Sequence, residues 1–217
     1  VIEVFVQQDR VSNMFWCGLD ESHPLHAASS DLARGAIPWI YAESDRVLGE
    51  VRKRLRPEDR LIVLSDHGFA SFRRSVHLNR WLVDHGYLVM KAGADATQPL
   101  FAAVDWSQTR AYALGLNGVY INRQGREPEG IVNATDADAL EQQLVTELGE
   151  LRDPANQQAM VRKVYRATSI YTDSHRQDSP DLIVGYEPGY RASWQTSLGA
   201  TPTGMPSPSG SSRSSTN

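Results

Sequence analysis

Leu61-Ile62-Val63-Leu64-Ser65-Asp66-His67-Gly68-Phe69 is the stretch on which the fold of this chain turns. Four consecutive large apolar residues that run into a polar, glycine-containing turn make the pattern of a strand covered on both faces. Upstream, Ile37 to Leu55 sets Ile40, Val47, Leu48, Val51 and Leu55 roughly on one side of a predicted helix. Arg52, Lys53, Arg54 and Arg56 crowd its last turns, where cations complement the helix dipole, and Pro57 is placed to stop it. Further upstream, Val1 to Val6 is rich in β-branched and aromatic residues and reads as a second buried strand. Strand, helix, strand with short connections predicts a parallel α/β sheet.

Downstream, Val76 to His85 reads as a short helix with Gly86 as its stop, and Tyr87 to Met90 as a further strand. Lys91 to Gln98 is a polar loop of small residues. Ala111 to Ala113 and Gly118 to Ile121 form a predicted strand pair. Asp136 to Leu151 is an amphipathic helix carrying Leu140, Leu144, Val145 and Leu148. Val161 to Ala167 and Asp181 to Val184 read as strands. Thr201 to Asn217 is mostly Ser, Pro, Thr and Gly, which buries too little apolar surface to offset ordering, so a disordered tail is expected over 200–217.

Bulk properties narrow the function classes. With 217 residues, 41% hydrophobic and 22% charged, the chain suits one sizeable packed domain. A net charge of -4 offers no footprint for nucleic acid, and no basic tract or long apolar run points to a membrane. A small anionic substrate remains compatible, because a bound cation supplies local positive charge. The single cysteine, Cys17, excludes an intramolecular disulfide, and the first residues do not resemble a signal peptide; both favour a cytoplasmic setting. Nothing identifies a protein partner.

The chemistry concentrates at two strand ends. Asp66 and His67 follow Leu61 to Leu64, and the carboxyl ends of strands form the ligand crevice of an open parallel sheet. One hard oxygen beside one imidazole suits zinc or a similar divalent ion, and a polar turn is the competing reading. Asp84-His85-Gly86 repeats the tripeptide but follows no strand, and reads as a helix end. Asp9 follows the first predicted strand, in Asp9-Arg10-Val11-Ser12-Asn13-Met14-Phe15-Trp16, and an ordinary loop with Phe15 and Trp16 in the core is the alternative. His23 and His26 read as polar loop residues, with substrate contact as the alternative, and His77 as a cap or surface residue. Tyr190 and Arg191 follow a strand and a glycine turn, and are candidates for contact with a substrate phosphate or for a structural ion pair.

Taken together, Gln8-Asp9-Arg10-Val11, Met14-Phe15-Trp16, Asp20-Glu-Ser-His-Pro24 and Leu64-Ser-Asp-His-Gly-Phe69 resemble the type I phosphodiesterase/nucleotide pyrophosphatase branch of the alkaline phosphatase superfamily. The resemblance continues through Gly118-Val-Tyr-Ile-Asn122, Gly125 to Gly130, Pro180 to Gly185 and Gly189 to Trp194, in consistent order from Val1 to Gly199. It implies an α/β fold: an alkaline-phosphatase-like mixed sheet with flanking helices, here incomplete, plus a small α+β insertion over about 91–165. It also implies a metal-dependent hydrolase of phosphate esters, phosphodiesters or nucleotides, with two divalent ions, usually zinc. Asp9, Asp66 and His67 match metal ligands. The two-metal logic requires the carboxylates of Asp9 and Asp66 to lie within roughly 8 Å, the span of two ions about 4 Å apart.

The match departs at the ligand shell. Asn13 occupies the position of a histidine ligand, and a neutral amide is a poor zinc ligand. The nucleophile and an early aspartate are expected before Val1, and no histidine follows His175. A hydrolase with impaired or absent activity is therefore expected. The alternatives are a non-catalytic remnant serving as a binding module, or another superfamily activity such as a sulfatase, phosphonate hydrolase or phosphomutase.

Overall fold

The computed structural model describes residues 2–172, 178–202 and 207–208. The chain divides into two compact units, Val1–Ser71 and Phe72–Asn217. No helix among the described residues is long and apolar enough to cross a membrane.

In the first unit the two predicted strands are absent. Residues 2–6 and 60–64 are coil, and Ile62 and Leu64 are 78% and 80% exposed. The physical reason lies in what a buried parallel strand requires: hydrogen-bonded neighbours on each side and cover on each face. No segment among the described residues of this unit is a strand, so β-propensity has no ladder to join.

The unit is instead built on helices. Helix α1 covers Gln7–Leu19, where a polar segment and an aromatic stretch were expected. Helix α2 covers Asp31–Arg52, starting two turns before the predicted boundary and carrying Pro38 inside it. The Ser30 side chain caps α2 by accepting from the Ala33 amide at 3.2 Å. The helix stops before Pro57, and Leu55 is left exposed beyond it. Helices α1 and α2 pack closely at Gly18, where an added Cβ would sit 2.6 Å from the Ala33 carbonyl oxygen. Of the predicted stripe only Ile40 is buried, together with Ile37, while Val47 and Leu48 are half-buried and Val51 is exposed; the Gln8 amide donates to Ser44 Oγ across the pair.

The second unit contains the main core. Strand β1 (Phe72–Val76) leads into α3 (Leu78–Asp84), which ends as predicted, with Gly86 at φ 71° and His85 Nδ1 2.8 Å from the Trp81 carbonyl. Tyr87 to Met90 is not a strand; Met90 forms only an isolated bridge to Val104. Strands β2 (Ala111–Leu114) and β3 (Gly118–Ile121) pair antiparallel, as their sequence suggests. Helix α4 (Ala134–Gly149) is capped by Asn133, whose Oδ1 accepts from the Asp136 amide at 2.9 Å. Strand β4 (Val161–Arg166), a short helix α5 (Ala167–Ile170), β5 (Leu182–Tyr186), β6 (Gly189–Ala192), the four-residue α6 (Trp194–Ser197) and β7 (Ser207–Pro208) complete the order.

Two sheets result. One is antiparallel, in the order β2-β3-β5-β4; in the other β1 pairs parallel with β6 and antiparallel with β7. The fold is therefore mixed α/β, as expected. Its core gathers Leu140, Leu144 and Leu148 from α4 with Val119, Ile121, Leu182 and Val184 from the sheet and Leu78 and Leu82 from α3. Each fully buried aliphatic side chain of this kind contributes about 1.5–3 kcal/mol. Ala200 and Thr201, assigned to the tail by composition, are buried, and Thr201 Oγ1 donates to the Ala96 carbonyl at 2.9 Å. Residues 203–206 and 209–217 of the expected tail, and His175, lie outside the described residues.

Candidate metal centre

Asp9 lies in the first turn of α1, and Asn13 follows it one turn later on the same side of the helix. The Asn13 amide donates to the Asp9 carbonyl at 3.0 Å, so it is turned along its own helix. The segment carrying Asp66 and His67 is brought to α1 by Trp16. Its ring stacks on Phe69 at 5.7 Å, and its Nε1 donates to Ser71 Oγ at 2.8 Å. Ser71 Oγ in turn donates to Asp20 Oδ2, while Asp20 Oδ1 accepts from the Ser22 amide at 3.0 Å and so closes the turn of the Asp20-to-Pro24 motif.

This clamp brings three of the predicted residues together. His67 Nε2 lies 3.9 Å from Asp9 Oδ1 and 3.7 Å from Asp66 Oδ2. Both carboxylates thus approach one ring nitrogen, which holds them within the roughly 8 Å required of a shared centre. His67 Nδ1 faces the Gly68 carbonyl at 3.0 Å. A donor at Nδ1 leaves Nε2 as the acceptor, the arrangement that orients a metal-binding imidazole. The bond to Gly68 is the largest cause of a raised His67 pKa, with the Asp66 and Asp9 carboxylates adding to it.

The donor types fit one divalent ion: two carboxylate oxygens and one imidazole nitrogen. They stay open to water, since the side chains of Asp9, His67 and Asp66 are 51%, 57% and 88% exposed. Among the described residues no group of three or more His, Cys, Asp or Glu side chains is placed so that it could hold a metal ion, and these three have the donor types without the convergence. Asn13 does not turn towards the carboxylates.

The comparisons bear on this arrangement. A family model described as type I phosphodiesterase/nucleotide pyrophosphatase matches residues 4–208. The chain belongs to that family. It is a family of the alkaline phosphatase superfamily, whose members are phosphodiesterase- and pyrophosphatase-type hydrolases of small phosphate-ester or nucleotide substrates. No match to a curated protein or to a solved structure was found.

The motifs Gly118–Asn122, Gly125–Gly130 and Pro180–Gly185 meet in one structural network. Asp181 of the Pro180–Gly185 motif accepts from the Ile121 amide at 2.6 Å, from Arg123 Nε at 2.8 Å and from Arg126 Nη2 at 2.7 Å. The Asn122 amide donates to the Trp106, Thr109 and Glu129 carbonyls. Glu141 joins Arg123 and Arg166 in the same network. Sequence reading missed it because the partners lie far apart in the chain. The i, i+3 spacing of Arg123 and Arg126 and the aspartate at the mouth of β5 were the available signals.

Among the remaining histidines, His23 Nδ1 accepts from the Leu25 amide at 3.1 Å and His26 Nδ1 lies 3.0 Å from the Cys17 carbonyl, as loop residues do. His77 is buried, not at the surface, and burial lowers its pKa. Of the remaining two candidates, Tyr190 donates through its hydroxyl to the buried Asp153, and Arg191 lies over the rings of Phe72 and Trp194.

Proposed function

We propose that this chain is a metal-dependent hydrolase of phosphate esters and phosphodiesters, nucleotide-pyrophosphatase-like, with a one-ion centre and little or no turnover of its own. The observation that carries this reading is the meeting of Asp9, Asp66 and His67 around one imidazole nitrogen. These three side chains would hold the cation, zinc by donor type, and Asp9 and Asp66 would offset its charge. Such an ion supplies a Lewis acid to a phosphoryl oxygen. Gly68 orients the imidazole through Nδ1, and Trp16 with Phe69 holds the Asp-His segment on α1. Asn13, a neutral amide, leaves the shell one imidazole short.

A second reading is a non-catalytic binding module on the same fold. The exposure of all three groups and the lack of an enclosing three-group cluster among the described residues favour it.

Isothermal titration with Zn²⁺, paired with hydrolysis of a chromogenic phosphodiester, separates the two. The hydrolase reading expects one weak site, lost in Asp66→Ala and tightened at least tenfold in Asn13→His, with turnover appearing in Asn13→His and vanishing when Asp66→Ala is added. Two tight sites in the parent chain would refute the one-ion centre. Absence of zinc binding from both the parent and Asn13→His would leave the binding module.

A further inference from the structure

Tyr190 and Arg191 are neighbours on β6, and consecutive strand residues face opposite ways. Their surroundings differ accordingly. Tyr190 donates to Asp153 Oδ2 at 2.9 Å, and Arg74 Nε approaches the same oxygen at 3.0 Å. Asp153 is fully buried, so this face is a closed structural contact.

Arg191 has no such partner. Its guanidinium carbon lies 4.5 Å from the centre of the Phe72 ring and 4.6 Å from that of Trp194, two cation–π contacts. Its Nε donates to the Ala192 carbonyl at 3.2 Å. Among the described residues no carboxylate reaches it and neither Nη atom has a hydrogen-bond acceptor. Five other half-buried arginines of this unit are paired: Arg74 with Asp153, Arg80 with Asp84, Arg123 and Arg126 with Asp181, and Arg166 with Glu141.

A cation drawn partly out of water without a counter-ion is costly, and here burial opposes its charge. Two ring contacts and the Nε bond to the Ala192 carbonyl restrain the guanidinium and leave its two Nη groups for a ligand, and a guanidinium fork can grip two oxygens of one oxyanion. Trp194 remains 58% exposed beside it.

We infer that Arg191, held over Phe72 and Trp194, is a binding site for a phosphoryl oxyanion, taken bidentately by its two Nη groups. Binding here needs neither a cation nor turnover, so it stands or falls apart from the metal centre; the family supplies only the kind of oxyanion.

The test is isothermal titration of the full chain, without added metal, with inorganic phosphate and separately with adenosine monophosphate, and with acetate at matched ionic strength. Saturable one-to-one binding of phosphate or the nucleotide is expected, weakened at least tenfold in Arg191→Met. Arg191→Lys keeps a cation over the rings but loses the fork, and should be weakened several-fold at an unchanged thermal midpoint. Tighter binding of the nucleotide identifies a phosphate ester as the ligand, and equal binding identifies phosphate itself. The ¹⁵N-edited side-chain signal of Arg191 should shift along the same isotherm. The site is disproved by absence of saturable binding in the parent, by equal binding in Arg191→Met, or by acetate binding as tightly as phosphate.

Discussion

At the scale of single residues, the aspartates of this chain perform different work according to what surrounds them. Asp66 and Asp9 sit in water beside an imidazole, where exposed charge pairs stabilise little. Asp181 is buried and accepts from one backbone amide and two guanidinium groups, so its loss leaves the Ile121 amide without this acceptor and takes one carboxylate from Arg123 and Arg126, which keep Glu141 and Glu127. Asp181→Asn is therefore expected to destabilise the second unit by about 1–3 kcal/mol in urea unfolding, the range for leaving a buried polar group unsatisfied. A cost below about 1 kcal/mol would show that water already solvates the network. The motifs that carried the family resemblance thus divide in two: those in the first unit bring polar groups to a candidate site, and those around Asn122 and Asp181 hold the second unit together. The residue types were legible in the sequence. Their partners were not, because Arg123 and Asp181 are 58 positions apart.

At the scale of elements, periodicity read well where an element could complete itself locally. The apolar spacing of α4 places that helix within two residues of its observed ends, and the structure adds the Asn133 cap. Asn133→Ala should cost about 1 kcal/mol, measured by urea unfolding, as the loss of a side-chain cap does. Strands read well only where partners exist: β2 with β3, and β4 with β5. The run Leu61 to Leu64 has the composition of a buried strand and the exposure of a loop. The double variant Ile62→Lys with Leu64→Lys should accordingly shift stability by no more than about 0.5 kcal/mol and raise solubility, since it removes an exposed apolar β-prone segment. A loss above about 2 kcal/mol would return the segment to the interior.

At the scale of the whole molecule, the two units differ in how much they bury. The first has Ile37 and Ile40 as its only buried aliphatic side chains among the described residues, whereas the second gathers the whole of the main core. Amides of residues 2–71 are therefore expected to exchange with deuterium well before those of 140–148 and 182–186, since local opening costs least where few apolar contacts form. Equal protection of the two sets would show that the helices of the first unit gain stability not visible in their own burial. By itself, the sequence determined the helices with a complete apolar stripe, the turn glycine after α3, the mixed α/β class, the family and the identities of Asp9, Asp66 and His67. Those depend on side-chain chemistry and on short-range spacing, which a linear chain carries in full. Only the tertiary structure decided that residues 2–6 are coil and that α1 takes the place of the polar and aromatic segment after them, that Asp181 is a structural anchor, and that Tyr190 and Arg191 face different surroundings. Each of these depends on which distant group arrives to accept a hydrogen bond, cover a face or neutralise a charge, and no local pattern encodes that arrival.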